Sequence, residues 1–217
     1  MKRVLIVSAH PDDMEIGMGG TVAKMADDGH SILSVVLTDG RRSPNPFALS
    51  PEKMAELRKD EGKKAAGVLG VGQTAFFDLE SVVSNEICLG ATGKLVEIID
   101  SFDPQEIFTL HPDLDRHPSH RAAGKITVDA FSQSRSNGNI QMWAYEVWGL
   151  FAKWDRFEDI TEQMAKKLKA IGEHCSQLAA IPYSDGIAGL NRWRAVFADP
   201  HQTEAVAEYA EVFVKLK

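Results

Sequence analysis

Short apolar runs alternate with amphipathic stretches from the first residues of the chain onward. The runs at residues 4–9 and 32–38 are continuous and rich in β-branched side chains, which is typical of strands buried on both faces. Elsewhere the apolar spacing is helical, and Ser50 followed by Pro51 marks the start of one helix. We predict strands at residues 4–9, 32–38, 75–79, 106–110, 143–147 and near 159–160, and helices at residues 16–29, 51–69, 87–101, 118–131, 162–178 and 203–216.

This strand–helix alternation builds βαβ units, whose strands run parallel. We therefore expect an α/β fold: a Rossmann-like, doubly wound, mostly parallel sheet with helices on both faces. No internal repeat or linker divides the chain, so residues 1–217 are predicted to form a single domain. The long polar loop at residues 39–50 follows a predicted strand, at the sheet edge where open α/β folds place their ligand loops.

Composition narrows the class of partner. The chain has 217 residues, of which 44% are hydrophobic and 25% charged, so it can bury a full core. Its formal net charge of −7 argues against binding to nucleic acid or anionic lipid, because both need a clustered basic face. A neutral or cationic small molecule fits this charge better.

Cysteine usage and the N-terminus indicate a cytoplasmic location. The two cysteines, Cys88 and Cys175, are far apart and lack CxxC spacing, which favours a reducing compartment. The apolar run that follows Met1, Lys2 and Arg3 is too short for the core of a signal peptide. No apolar stretch reaches the roughly 18 residues that a membrane helix needs, so we expect no membrane insertion.

Two clusters of histidines and carboxylates follow predicted strands. Residues 9–15 read AHPDDME, and residues 111–120 read HPDLDRHPSH. Acidic residues are common caps at helix N-termini, but capping does not explain histidines beside them at the ends of buried strands. Because the carboxyl ends of parallel strands meet at one edge of a sheet, we expect both clusters to line one crevice.

The residue types in these clusters predict metal-assisted hydrolysis. Two histidines and one carboxylate form an open site in which zinc keeps a water as its fourth ligand. Zinc lowers the pKa of that water from ~15.7 towards ~7. A neighbouring carboxylate can then act as general base, worth ~10²–10⁴-fold, and a protonated histidine can stabilise the oxyanion and protonate the leaving amine. Spacing alone does not choose between Asp12 and Asp13 as ligand, or among His111, His117 and His120.

The two clusters resemble the metal motifs of the LmbE/PIG-L family of zinc-dependent N-acetylglucosaminyl deacetylases. This family includes the deacetylases of mycothiol and bacillithiol biosynthesis. The matching text is HPDDME at residues 10–15 and DRHPSH at residues 115–120. Flanking similarity extends over nearly the whole chain, at residues 15–24, 37–40, 57–61, 65–70, 174–177 and 208–213.

The resemblance implies one zinc ion per chain, or another divalent ion such as Fe²⁺, held by His10, Asp13 and His120. It implies that Asp12 is the general base, that His117 stabilises the oxyanion and acts as acid, and that Arg58 contacts the substrate. The implied reaction removes an N-acyl group, expected to be acetyl, from an amino sugar or N-acetylglucosamine conjugate. The resemblance also implies a homo-oligomer.

Three positions depart from the family pattern. Ser119 replaces an aspartate between His117 and His120, and Arg41 replaces a glutamate after a Thr-x-Gly sequence. The family's Pro-Asp-Gly after the third strand is missing, so a sugar-contacting aspartate is lost or replaced by Asp78 or Glu80. These departures concern the substrate more than the metal site.

Two alternative functions remain compatible with these residues. Two histidines and one carboxylate also form the facial triad of non-haem iron oxygenases. A non-catalytic, metal-dependent sugar-binding protein is the other alternative, suggested by the departures at Ser119 and Arg41. Asp12 argues for hydrolysis against both, because neither alternative requires a general base.

Two further features have structural explanations. Gly17, Gly19 and Gly20 have G-x-G-G spacing, not that of a dinucleotide-binding loop, and indicate close approach of the first helix to the sheet. The four tryptophans are expected to pack in the core, although one or two could line a sugar subsite: Trp143, Trp148, Trp154 and Trp193.

Overall fold

The computed structural model describes residues 1–135, 140–197 and 207–217, and within these ranges seven strands form one sheet. The strands are β1 (Arg3–Ser8), β2 (Ser31–Thr38), β3 (Gln73–Leu79), β4 (Glu106–Leu110), β5 (Gln141–Tyr145), β6 (Arg156–Asp159) and β7 (Ala210–Lys215). Their order across the sheet is β3-β2-β1-β4-β5-β7-β6. The first five strands are parallel, and β7 runs antiparallel to both β5 and β6.

The helices cover the sheet on both faces, as the alternating pattern predicts. They are α1 (Asp13–Asp27), α2 (Pro51–Leu69), α3 (Asn85–Phe102), α4 (Pro118–Gln133), α5 (Met164–Gly172), α6 (Cys175–Leu178) and α7 (Tyr183–Phe197). Helices α1, α2 and α5 pack against one another, and α3 packs against α4. The doubly wound, mostly parallel α/β fold expected from the sequence is confirmed.

The strand order creates a switch point beside β1. From β1 the chain moves outward through β2 and β3, then returns to place β4 on the other side of β1. A crevice therefore opens between the carboxyl ends of β1 and β4, which is where open α/β sheets bind ligands. Both histidine–carboxylate clusters follow these two strands.

Local signals explain how α1 and α2 are placed. The Ser50 hydroxyl accepts a hydrogen bond from the amide of Lys53, and α2 ends at Gly70, whose φ of 88° suits glycine. In α1, a Cβ on Gly17 would lie 2.4 Å from a ring carbon of Tyr145 on β5. Close approach of the first helix to the sheet is confirmed at Gly17, whereas Gly19 and Gly20 face Lys167 in α5 and Ile160.

The C-terminal third differs most from the predictions. The helix predicted at residues 203–216 is wrong over Ala210–Lys215, which is β7, while residues 203–206 lie outside the described residues. Glu211 makes this segment look helical, but its carboxylate is buried 2.7 Å from Lys167 Nζ, which stabilises a charge inside a strand. The predicted helix at residues 162–178 is interrupted between α5 and α6, and α7 was not predicted.

None of the helices in the described part of the chain is long and apolar enough to cross a membrane.

Candidate metal centre and active site

His10 lies in the turn between β1 and α1, and Asp13 is the first residue of α1. Asp13 Oδ2 accepts hydrogen bonds from the backbone amides of Ala9 and His10, at 2.9 and 2.8 Å. These bonds fix the carboxylate and leave Oδ1 facing the crevice. Oδ1 lies 3.6 Å from His10 Nδ1 and 3.1 Å from Nε2 of His120.

His120 reaches the same point from the first turn of α4. Its imidazole is fully buried, and Nδ1 lies 3.1 Å from Asp115 Oδ2. The same Asp115 oxygen accepts the backbone amides of Trp148 and Gly149, both at 3.2 Å, so the carboxylate is itself held in place. A carboxylate on the outer ring nitrogen fixes the tautomer that leaves Nε2 free as a metal ligand.

Three imidazoles therefore meet beside one carboxylate oxygen. His10 Nδ1 lies 3.1 Å from His120 Nε2. One ring nitrogen from each of His10, His117 and His120 lies within 4.8 Å of the other two. Burial lowers the pKa of His120, but Asp13 and Asp115 outweigh burial and raise that pKa to about 10. A proton held between two carboxylates is the charge that a metal cation would replace, because metal binding releases ligand protons. The donor set fits a divalent ion.

His117 lies at the edge of this cluster as the N-cap residue of α4. Its backbone amide donates to Asp115 Oδ1 at 2.8 Å, and its ring meets the His10 ring edge-on. Nδ1 of His117 is buried and has no hydrogen-bond partner among the described residues. Burial, together with the His10 and His120 imidazoles, lowers the pKa of His117.

Asp12, next to Asp13, is held by a residue of helix α2. Its Oδ1 lies 2.9 Å from Arg58 Nη2 on α2, and the arginine side chain is only 1% exposed. Burial raises the pKa of Asp12, but the charges of Arg58 and His174 outweigh it, so the pKa lies below its usual value. Asp12 is therefore an ionised, buried carboxylate that opens onto the same crevice.

These groups line a cleft of about 470 Å³. Its floor is formed by His10, Asp12, Asp13 and His117, and one wall is largely apolar, with Ile16, Trp148, Ile181 and Tyr183. The rim carries Arg42, Ser43, Glu80 and Ser119. The Trp148 ring packs edge-on against Tyr183 at 5.7 Å, which gives the apolar wall an aromatic surface. Of the four tryptophans, Trp148 is the one found in the cleft lining.

The structure separates residues that sequence spacing could not rank. His111 lies outside the cleft, where Nδ1 accepts the backbone amides of Asp113 and Leu114. Asp78 binds Lys59 at 2.7 and 2.8 Å and does not line the cleft, whereas Glu80 does.

The contact of Asp115 with His120 is the part of the site that the sequence did not assign. The position of Asp115 two residues before His117 was the only signal, and that signal did not tell which histidine it holds.

Comparison with known proteins shows the family to which the chain belongs. Residues 5–131 match the PIG-L family, described as GlcNAc-PI de-N-acetylase. The diacetylchitobiose deacetylase of Thermococcus kodakarensis is 30% identical over 192 residues, which cover 82% of this chain and 70% of that protein. The chain belongs to the PIG-L family of de-N-acetylases.

Solved structures share the whole fold. The N,N'-diacetylchitobiose deacetylase from Pyrococcus horikoshii, complexed with its inhibitor MPG, matches with a TM-score of 0.84 and 26% identity, over 99% of this chain and 84% of that one. GalB, the 4-carboxy-2-hydroxymuconate hydratase from Pseudomonas putida KT2440, matches with a TM-score of 0.85 over 100% of this chain and 97% of that one. GalB is only 22% identical, so this likeness shows the fold alone, and the reaction must be argued from the site.

Proposed function

We propose that this protein is a zinc-dependent de-N-acetylase that hydrolyses the acetamide of an N-acetylglucosamine-type sugar. The proposal rests on the different contacts of two adjacent aspartates, Asp12 and Asp13. Asp13 turns its free oxygen towards two imidazoles, while Asp12 opens onto the cleft as a separate, ionised carboxylate paired with Arg58. A metal-binding protein without activity needs the first group only, whereas hydrolysis needs both.

In this proposal the ion is held by His10, Asp13 and His120, with Asp115 orienting His120. A set made of the three imidazoles, with His117 in place of Asp13, is the competing arrangement. When bound, the ion would supply a water acidic enough to lose a proton near neutral pH and would polarise the amide carbonyl. Asp13 is preferred because its Oδ1 lies within 3.6 Å of both other ligand atoms.

Asp12 is the general base. Its carboxylate must be ionised to accept the proton of the attacking water, and Arg58 keeps it so despite burial. Arg58 therefore acts on the reaction through Asp12, besides lining the cleft where it could reach substrate.

His117 is assigned to the carbonyl oxygen and the nitrogen of the amide. It lines the cleft beside the proposed ligands, and its ring can donate a hydrogen bond to the oxygen that becomes negative when water attacks. The same proton can then pass to the nitrogen of the departing amino sugar as the C–N bond breaks. The step requires the protonated imidazole of His117, whose proton goes to the departing amine while Asp12 takes the proton of the attacking water.

The sugar is proposed to lie in the cleft with one face against Trp148, because aromatic rings present a large apolar surface with a polar edge. A cytoplasmic location is proposed because Cys88 and Cys175 are too few and too far apart in the chain for a disulfide framework. A single domain over residues 1–217 and assembly into a homo-oligomer stay predictions from the sequence.

The proposed function is tested by offering a panel of N-acetylglucosamine conjugates to the purified protein. Acetate and free amine are quantified together, and the zinc content is measured on the same preparation. We expect equimolar acetate and amine from at least one conjugate, and loss of both products after chelation. A zinc-loaded protein that releases no acetate from any amide would contradict the proposal.

A further inference from the structure

Every charged side chain that lines the cleft has an opposite charge within ion-pair distance among the described residues. On the floor, Asp12 pairs with Arg58, and Asp13 lies 3.1 Å from His120. The remaining two charged groups of the lining, Arg42 and Glu80, stand at the rim. The rim pair is the one that an aglycone would meet, because the amide must reach the floor.

Arg42 and Glu80 bind each other across two loops. Nε and Nη2 of Arg42 lie 3.1 and 2.6 Å from Glu80 Oε1. Arg42 belongs to the loop after β2, and Glu80 is the first residue after β3, so the pair joins two neighbouring strand ends. Both side chains are more than half exposed, at 67% and 53%, so the contact is a surface ion pair of small intrinsic strength. Glu80 therefore balances the charge of Arg42, but the exposed pair can separate.

The other arginines near the cleft do not replace Arg42. Arg41 folds back onto Asp39 in its own loop, with Nε and Nη2 both 2.7 Å from Oδ2, and does not line the cleft. Its charge is balanced there by Asp39. Arg116 lies over the outer part of the aromatic wall, 5.9 Å from the Trp148 ring centre, and is also absent from the lining.

We infer that Glu80 is a specificity-determining residue: by occupying Arg42 at the rim, it makes the cleft select amino-sugar conjugates whose aglycone is uncharged. The inference rests on the proposed function, because it concerns the part of the substrate beyond the acetamide. An anionic aglycone would have to displace Glu80 from Arg42 and then remain beside the displaced carboxylate. An uncharged aglycone meets no such opposition.

The size of the effect follows from the exposure of the pair. Two unit charges 4 Å apart in water interact by about 1 kcal/mol, which corresponds to about fivefold in kcat/KM. We therefore expect effects of about fivefold, and we expect them to shrink as salt is raised, because exposed charges are screened.

The test uses two glycosides of N-acetylglucosamine that differ only in charge, the carboxymethyl and the carbamoylmethyl glycoside. For each, kcat/KM for acetate release is measured with the zinc-loaded, full-length protein at low and high salt. The variants are Glu80→Gln, Arg42→Gln and the double variant. Asp78→Asn is the matched control, since it removes the same charge two residues away, from an ion pair outside the cleft. Its backbone φ of 55° is one that asparagine tolerates.

We expect the wild type to favour the carbamoylmethyl glycoside. Glu80→Gln should raise kcat/KM for the carboxymethyl glycoside about fivefold and leave that for the carbamoylmethyl glycoside within about twofold. Arg42→Gln should lower the value for the carboxymethyl glycoside by a similar factor, and the double variant, which lacks both charges, should lose the wild-type preference between the two substrates. Asp78→Asn should leave this ratio unchanged.

The inference is overturned if the wild type favours the carboxymethyl glycoside, if Glu80→Gln leaves the ratio unchanged, or if Asp78→Asn shifts it as much. Each of these outcomes still includes release of acetate, so the proposed function would stand. Release of no acetate from either glycoside or from the wider panel would instead remove the proposed function, and the inference with it.

Discussion

Arg58 Nη2 lies 2.9 Å from Asp12 Oδ1, and both side chains are buried at the floor of the cleft. The sequence resemblance implies that Arg58 contacts substrate, but the structure adds a contact with the proposed base. Arg58→Met should therefore lower kcat at least about tenfold, because loss of the counter-ion raises the pKa of the buried Asp12 carboxylate and reduces its ionised fraction. Arg58→Lys keeps a cation at this position and should restore part of the loss.

The measurement is kcat and KM separately, with zinc content confirmed for each variant. Breaking a buried ion pair also costs roughly 3–5 kcal/mol of stability, so thermal unfolding must show that Arg58→Met is folded at the assay temperature. A rise in KM at unchanged kcat would restrict Arg58 to substrate binding.

Asp115 should control zinc affinity through His120. Asp115→Asn weakens the contact to Nδ1, and loss of such outer contacts typically costs 10–100-fold in metal affinity. Competition with a chromogenic chelator gives the zinc affinity directly. Asp113→Asn is the matched control, because Asp113 is exposed and its ion pair with Lys125 spans 3.9 Å. Equal affinities for the two variants would show that Asp115 does not orient a ligand.

His117 distinguishes the two possible ligand sets. If the ion is held by His10, Asp13 and His120, His117→Ala should keep zinc and lose most of kcat, whereas His10→Ala should lose both. Zinc content per chain and acetate release are measured for each variant. Loss of zinc from His117→Ala, with zinc retained in Asp13→Ala, would favour the three-imidazole set.

Gly17 sets how closely α1 approaches the sheet. A Cβ there would lie 2.4 Å from Tyr145 Cδ2 and 2.5 Å from the Glu146 carbonyl oxygen, so Gly17→Ala should destabilise by about 1–3 kcal/mol. A Cβ on Gly67 in α2 would meet no atom outside its own helix backbone within 4 Å, and Gly67→Ala should instead stabilise by up to ~1 kcal/mol. Melting temperatures of the two variants check this difference in sign. A Gly17→Ala protein as stable as the wild type would show that the helix can shift away from the sheet.

Much of the fold could be predicted because the decisive signals are local. The strands β1, β2 and β4 are nearly continuous apolar runs, and α2 carries its own start at Ser50 and Pro51 and its own stop at Gly70. Strand β7 could not be predicted in this way, because the partners that stabilise Glu211 in a buried strand are distant in the chain. They are Lys167, 44 positions away, and the backbone amides of Gly20 and Thr21.

The same distinction between local signals and contacts of distant residues applies to the site. Strand ends and topology bring the two histidine clusters together, and both were visible in the sequence. The pairing of Asp115 with His120, of Arg58 with Asp12 and of Arg42 with Glu80 depends on how loops and helices fold over the sheet, and no spacing along the chain encodes it.

The most direct test of the account compares two substitutions at adjacent positions, Asp12→Asn and Asp13→Asn, by acetate release per bound zinc. An amide cannot accept the proton of the attacking water, so Asp12→Asn should keep about one zinc ion per chain and lose ~10²–10⁴-fold in kcat. Asp13→Asn should lose the zinc itself. Retention of full activity by Asp12→Asn, or loss of zinc from Asp12→Asn while Asp13→Asn keeps it, would contradict the assignment of base and ligand.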